Sequence, residues 1–325
     1  MKIQPIESSS HHVISSFDPP DPGGHNGGAD PLASLITSMP QPPAAESSSL
    51  RSLLPEINFL EYYGLSENPF ADCVHPNFFY RTESHAEAFR SMLLAVEFHT
   101  ALGLVTGPSG TGKTLVSQLL LENIDRSKHH VILVLATPGL TKTGLLREIL
   151  SELNLALPAG INRVQDLVKL LSNHITDMYQ RGRRLVIIID ECHLLDADCL
   201  HIVRTISNIE IPEHKLTSCL LFGESRLAKR LEHPSYESLR NRIYLSAKLE
   251  PLRSDEARQY VNFRAVVAGR MTELFAPEAM DALYAHSGGI CRSLNKLSML
   301  SLIEGAAHQQ PIVEVATVTA AAARM

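Results

Sequence analysis

Eight consecutive residues constrain this chain more than any other feature. Gly107-Pro108-Ser109-Gly110-Thr111-Gly112-Lys113-Thr114 fits the pattern G-x-x-x-x-G-K-[ST] in full. Chemistry explains the spacing. Glycines let a loop wrap so that successive backbone N–H groups face phosphate oxygens, and the helix that follows presents its positive end to them. In this arrangement Lys113 reaches the β- and γ-phosphates of ATP and the Thr114 hydroxyl ligates Mg²⁺. The pattern carries weight only between a strand and a helix, and that context is present. Ala101–Thr106 reads as a strand and Lys113–Ile124 as a helix, with Leu115, Leu119 and Leu120 along one side.

Further on, the run Arg184-Leu185-Val186-Ile187-Ile188-Ile189-Asp190-Glu191 places two acids at the end of an apolar stretch of the buried, parallel-sheet kind. Ligand sites of parallel sheets lie at the carboxyl ends of strands, so Asp190 is expected beside the phosphate loop, holding Mg²⁺ through water. Glu191 is placed to polarise an attacking water as general base. The plainer alternative is that both acids only favour the start of the next helix; an upstream phosphate loop weakens that alternative.

Around these landmarks strands and helices alternate. His130–Ala136 and Leu216–Phe222 read as further strands, and Lys142–Leu153, Val164–Gln180 and Leu195–Ile209 as helices. Such alternation predicts an α/β doubly wound parallel sheet. Beyond Leu249 strand patterns stop, and Ser254–Gly269, Pro277–Ser287 and Ile290–Ala307 read as three helices of a small lid. The expected organisation is a tail over 1–55, an α/β domain over 56–248, a helical lid over 249–308 and a second tail over 309–325. The first tail is rich in Ser, Pro and Gly and reads as disordered, with Pro31–Met39 its one apolar piece.

The net charge is −6 over 325 residues, so no global basic field advertises a nucleic-acid partner, although a local groove is compatible with it. The compact turn Arg181-Gly182-Arg183-Arg184 reads as a solvated loop or as a contact for phosphate backbones. Five scattered cysteines, without a C-x-x-C pair, argue against a disulfide framework and for a reducing, cytoplasmic setting. His193 has no neighbour at metal-ligand spacing. No signal peptide or membrane span is recognisable.

At this point the sequence resembles a family. Tyr63-Gly64-Leu65, Asn68-Pro69-Phe70, Phe79-Tyr80 and His85, followed by the phosphate loop, are similar to the ExeA/GspA group of AAA+ ATPases. The likeness continues through IIIDECHLL (187–195), LRNRI (239–243), LEPLRSDEARQYVNFR (249–264) and SGGICRSLN (287–295). The resemblance implies an AAA+ fold, and that Tyr63–Tyr80 closes over adenine. It implies that Arg242, or alternatively Arg240, is an arginine finger offered to a neighbouring subunit's γ-phosphate, and that Arg292 senses the γ-phosphate from the lid. Both arginines also admit the reading of plain surface charges. Two departures stand out: Glu224 replaces a glutamine usual in the family, and Cys291 replaces a proline. Cys291 reads as packing.

The resemblance leaves three expectations for the whole. One is a homo-oligomeric ATPase that drives assembly of a secretion or pilus machine through a protein partner. Another is an ATP-dependent, double-stranded-DNA-binding regulator of the MuB/TnsC transposition kind. The third is a slow nucleotide switch, against which an acid at 191 and a finger argue.

Overall fold

A computed structural model describes residues 58–71, 78–158 and 160–325. The expected first tail, Pro31–Met39 and Cys73 lie outside the described residues. Five strands form a parallel sheet: β1 (Leu102–Gly107), β2 (His129–Leu135), β3 (Arg184–Asp190), β6 (Thr217–Glu224) and β7 (Ile243–Lys248). Their spatial order is β2-β3-β6-β1-β7. A small antiparallel hairpin, β4 (Glu210–Ile211) and β5 (His214–Lys215), leads into β6.

Strands β1, β3 and β6 are buried almost end to end, because helices cover both faces. Alternation within β3 shows how one apolar run serves both. Val186 and Ile188 pack with Met92 and Val96 of helix Glu83–Glu97, and with Val116 and Leu120 of helix Lys113–Asn123. Ile187 and Ile189 point the other way. There they meet Ile149 of helix Lys142–Glu152, Leu171 of Val164–Gln180, Leu200 of Ala197–Ile206 and Leu227 of Ser225–Leu231. In chain order after α1 (Phe59–Tyr63), these helices are α2 to α7, and Glu237–Arg240 is α8.

The expected strands and helices form, with ends shifted by up to three residues. The helix expected over Leu195–Ile209 is shorter, because Cys192–Leu194 takes a tighter 3₁₀ turn and Asp196 caps α6 by accepting from Cys199 N at 2.7 Å. In α3 the inward face is Lys113, Val116, Ser117 and Leu120, rather than the line through Leu115 and Leu119. The phosphate loop sets that phase: once Lys113 faces in, positions three, four and seven further on follow it. Strand β7 escaped the sequence reading because it is an edge strand, half-buried and exposed by turns.

The lid is α9 (Ser254–Val267), α10 (Pro277–Ser287), α11 (Cys291–Ala307) and α12 (Val315–Ala322). Two expectations about its extent are corrected. The stretch 309–325 is not a plain tail: Val313, Val318 and Ala321 are buried in the lid core, and Phe275 and Val313 form a β-bridge. Small side chains make α12 look featureless in sequence, yet they are what lets it approach its neighbours closely. At the other end, Tyr63, Leu65 and Phe70 pack into the lid core and not onto the sheet. The Tyr63 hydroxyl donates to Gln310 O at 3.0 Å. Gly289 packs against the stretch that leads from β7 into the lid: it has φ +74, and a Cβ there would lie 2.1 Å from Leu252 O.

Candidate functional site

Register places the site. Gly107 pairs with Glu224 across β1 and β6, and Ile189 pairs with Leu221 across β3 and β6. Gly107, Asp190 and Glu224 therefore emerge together at the carboxyl end of three adjacent strands, where the order of the sheet reverses around β1.

His85 of α2 supports the phosphate loop from beneath. Its Nε2–H donates to Thr111 O at 2.9 Å, so Nδ1 accepts from the Thr82 hydroxyl at 2.6 Å. Burial lowers its pKa and keeps this neutral tautomer. Gly112 caps α3 at φ +96, and a Cβ there would stand 2.8 Å from His85 Nε2. The cradle that results is one a side chain would fill. Lys113 is buried, and its ammonium donates to Gly107 O at 3.2 Å and Pro108 O at 2.9 Å. Burial lowers its pKa, while Glu191, Glu224 and Asp190 oppose that shift.

Asp190, only 2% exposed, accepts from Glu191 N at 2.8 Å and from the Ser117 hydroxyl at 3.4 Å. The single Ser117 proton is shared between that carboxylate and the nearer Thr114 O at 2.9 Å. One carboxylate and the first turn of α3, carrying Thr114, thus share a small space with hard oxygen donors, which fits a magnesium ion that keeps several waters.

Glu191 adopts φ +53, an uncommon conformation for a residue with a side chain. Its Oε2 lies 3.1 Å from His193 Nδ1, and His193 Nε2 lies 3.8 Å from Glu224 Oε1. Glu224 also pairs with Arg226 at 3.1 Å. Sequence spacing offered no such grouping for His193; the fold makes it by bringing β6 beside β3. Burial lowers the pKa of His193, chiefly against the pull of Glu224.

Facing the loop is a cavity open on one side. Ser109, Gly110, Gly112, Lys113, Thr114 and Glu191 line one wall; Phe78, Phe79 and Tyr80 line another. From the lid come Tyr260, Arg264, Cys291, Arg292 and Asn295. Among the described residues of the aromatic stretch expected to cover a base, Phe78, Phe79 and Tyr80 line the cavity. A relay that sequence reading missed holds the lid wall. Arg264 donates to Pro69 O and to the Tyr260 hydroxyl at 2.8 Å, so that hydroxyl donates onward to Asn295 Oδ1 at 2.8 Å. Arg264 also lies over the Phe78 ring at 4.9 Å. A buried Tyr and Arg four apart in QYVNFR was the available signal.

Arg292 lines the cavity, and its backbone N–H donates to Gly110 O at 3.2 Å, so the lid touches the phosphate loop directly. Cys291 beside it is pushed up to about 11 by burial and is not a thiolate. Arg242 is elsewhere. It precedes β7, whose Ile243 pairs with Leu102 at the start of β1, roughly 16 Å of strand from Gly107. There its guanidinium donates to Asn208 Oδ1 and Ser238 O, both at 2.7 Å. Arg240, exposed, donates to Glu232 O.

With this geometry in view, comparison with known proteins is decisive. The family described as AAA domain matches residues 96–231. General secretion pathway protein A of Aeromonas hydrophila is 33% identical over 247 residues, 75% of this chain and 44% of that protein. The chain is a GspA-like AAA ATPase. It spans less than half the length of that relative. Among solved structures, the Aeropyrum pernix ORC2 protein in its ADPNP-ADP complexes superimposes with TM-score 0.60 at 15% identity, over 79% of this chain and 71% of that one. Drosophila ORC bound to DNA gives 0.61 at 13% identity, over 87% and 74%. These distant likenesses confirm the AAA+ arrangement of sheet and lid in the GspA-like chain. Among its described residues no helix is long and apolar enough to cross a membrane.

Proposed function

We propose that this GspA-like chain binds ATP with Mg²⁺ in the cavity between loop and lid and hydrolyses it within a homo-oligomer, as the motor or regulator of a larger machine. The observation that carries the reading is convergence: loop, Glu191 and lid arginine come from three separate segments to one cavity, with Asp190 buried next to Glu191. Backbone N–H groups of Gly107, Ser109, Gly110, Thr111 and Gly112 hold the phosphates, Pro108 shapes the turn between them without a donor of its own, and Lys113 leaves its two carbonyls for the phosphate oxygens. Thr114 and Asp190 hold the ion, whose charge offsets that developing on the phosphoryl oxygens. Glu191 orients and deprotonates water, released from or steered by His193. Arg292 binds the γ-phosphate from the lid. Arg242, too far along its own sheet to reach its own loop, serves a neighbour's site.

The likeness to general secretion pathway protein A favours an envelope-assembly role carried out through a protein partner, with the ATPase on the cytoplasmic side. An ATP-dependent regulator acting on double-stranded DNA is the second reading, and the cationic end of the sheet described below favours it.

The test is ATPase rate against protein concentration. Specific activity should rise with concentration in the wild type, and Arg242→Ala should lower turnover by about 10³-fold or more without weakening nucleotide binding, the order known for such fingers. A specific activity independent of concentration, together with full turnover in Arg242→Ala, would overturn the trans assignment. Lys113→Ala that still binds nucleotide normally would overturn the site itself.

A further inference from the structure

The end of the sheet opposite the phosphate loop carries a second pocket that nucleotide chemistry does not use. Glu97, His99, Lys128, His129, Gly182 and Arg184 line it. It forms where strands begin: His129 opens β2 and pairs with Arg184, which opens β3. From Arg184 to Asp190 is roughly 20 Å of strand, so this pocket and the cavity lie on opposite edges.

Its chemistry is one-sided. Arg184 has a buried Nη1 with no hydrogen-bond partner among the described residues, while its guanidinium lies over the Tyr179 ring at 5.7 Å. An arginine N–H group buried without an acceptor is costly, and native structures rarely leave one so. His129 is buried and directs Nδ1–H to Asp125 O at 3.2 Å, which turns its other nitrogen away from that loop. The rings of His99 and His129 lie 6.5 Å apart. Lys128 is exposed and only loosely paired, 3.7 Å from Asp125. Glu97 is the single acid of the lining. Burial, then the nearby Arg184 guanidinium, holds the pKa of His99 down. Beside the pocket Phe98 is 70% exposed, an aromatic face with no packing role of its own.

We propose that this pocket is an oxyanion site that takes a phosphate group, with Arg184 as its forked donor and Lys128 and the His99–His129 pair closing around it. Arginine's planar fork suits two phosphate oxygens at once, and a phosphate would satisfy the orphan Nη1. The proposal stands apart from the ATPase reading, since no lining residue belongs to the nucleotide site. One chemistry has two sources here: a free phosphate, or a phosphodiester of a nucleic-acid backbone.

The experiment uses the full chain carrying Lys113→Ala, so that the nucleotide loop does not contribute. Inorganic phosphate is titrated calorimetrically, and a fluorescent 30-base-pair duplex is followed by anisotropy at several salt concentrations. Arg184→Gln should weaken whichever probe binds by about tenfold or more. For the duplex it should also lower the slope of log affinity against log salt by about 1. Arg184→Gln on the otherwise wild-type chain should leave the basal ATPase rate within about twofold. If that variant unfolds, Lys128→Gln, an exposed position, gives the same readouts. Loss confined to phosphate makes the ligand a free phosphate; loss of duplex binding makes it a nucleic-acid backbone. Failure of both probes to bind the folded parent, or undiminished binding in both folded variants, overturns the site.

Discussion

Replacing His85 by phenylalanine separates support of the phosphate loop from contact with nucleotide. The ring keeps its shape and its edge-on packing with Phe79, whose centroid lies 5.7 Å away, but it loses both nitrogens. Thr82 is little affected, because its hydroxyl retains Ser84 at 3.0 Å and still accepts from the backbone N–H of residue 85 at 3.3 Å. Thr111 loses more. It is 1% exposed, and the only side chain on its carbonyl among the described residues is His85. An orphaned buried carbonyl costs about 1–3 kcal/mol, and the empty loop can avoid that cost by relaxing toward water. Nucleotide must then restore the buried arrangement, so its Kd should rise by roughly 5- to 150-fold, at about 1.4 kcal/mol per tenfold. Thermal stability without nucleotide should change much less. The assay is titration of a fluorescent ATP analogue into wild type, His85→Phe and His85→Gln, with far-UV circular dichroism as a check on folding. Glutamine retains a donor and should recover part of the loss. A folded His85→Phe protein with Kd within twofold of wild type would refute the argument that this histidine holds the loop.

Two further outcomes are expected. Glu191→Gln should keep nucleotide affinity within about threefold yet lose about 10²–10⁴ in turnover, the usual worth of a general base, as measured by phosphate release and equilibrium binding. Retained turnover would remove Glu191 from its role. Stability should fall on mild acidification. His85, His99, His130 and His193 all have pKa values lowered from 6.5, each chiefly by burial. The unfolded chain therefore takes up more protons than the folded one as pH drops past about 6.5. Stability is full above that pH and is lost below it, toward the folded-state values. Tm at pH 5.5 should lie below Tm at pH 7.5, and a flat or rising Tm would contradict the assignment.

The parts of this molecule that were legible in the sequence are those where chemistry demands a fixed local spacing. The loop 107–114 and the strand ending in Asp190 could be read because glycine freedom, a helix start and a doubly buried strand each leave a short-range mark. Arg292 was singled out only through the family resemblance; the structure adds why a glycine pair precedes it, since Gly289 has no room for a side chain against Leu252. What escaped depends on distance in the chain. His193 meets Glu224 across 31 positions, and Arg264 reaches Pro69 across 195. Helix α12 escaped for a different reason: alanine and threonine carry little hydrophobic signal, although in a tightly approached core they exclude water as well as leucine does elsewhere.

Helix α1 and the aromatic residues after it belong to the lid by packing but precede the sheet by sequence. The lid is thus joined to the sheet by two stretches of chain, one before α2 and one between β7 and α9. A body held at one point can tumble about it in any direction. Held at two, it keeps a single easy rotation, about the line through both. Any opening of this lid is therefore directional, along one arc set by where those two stretches cross.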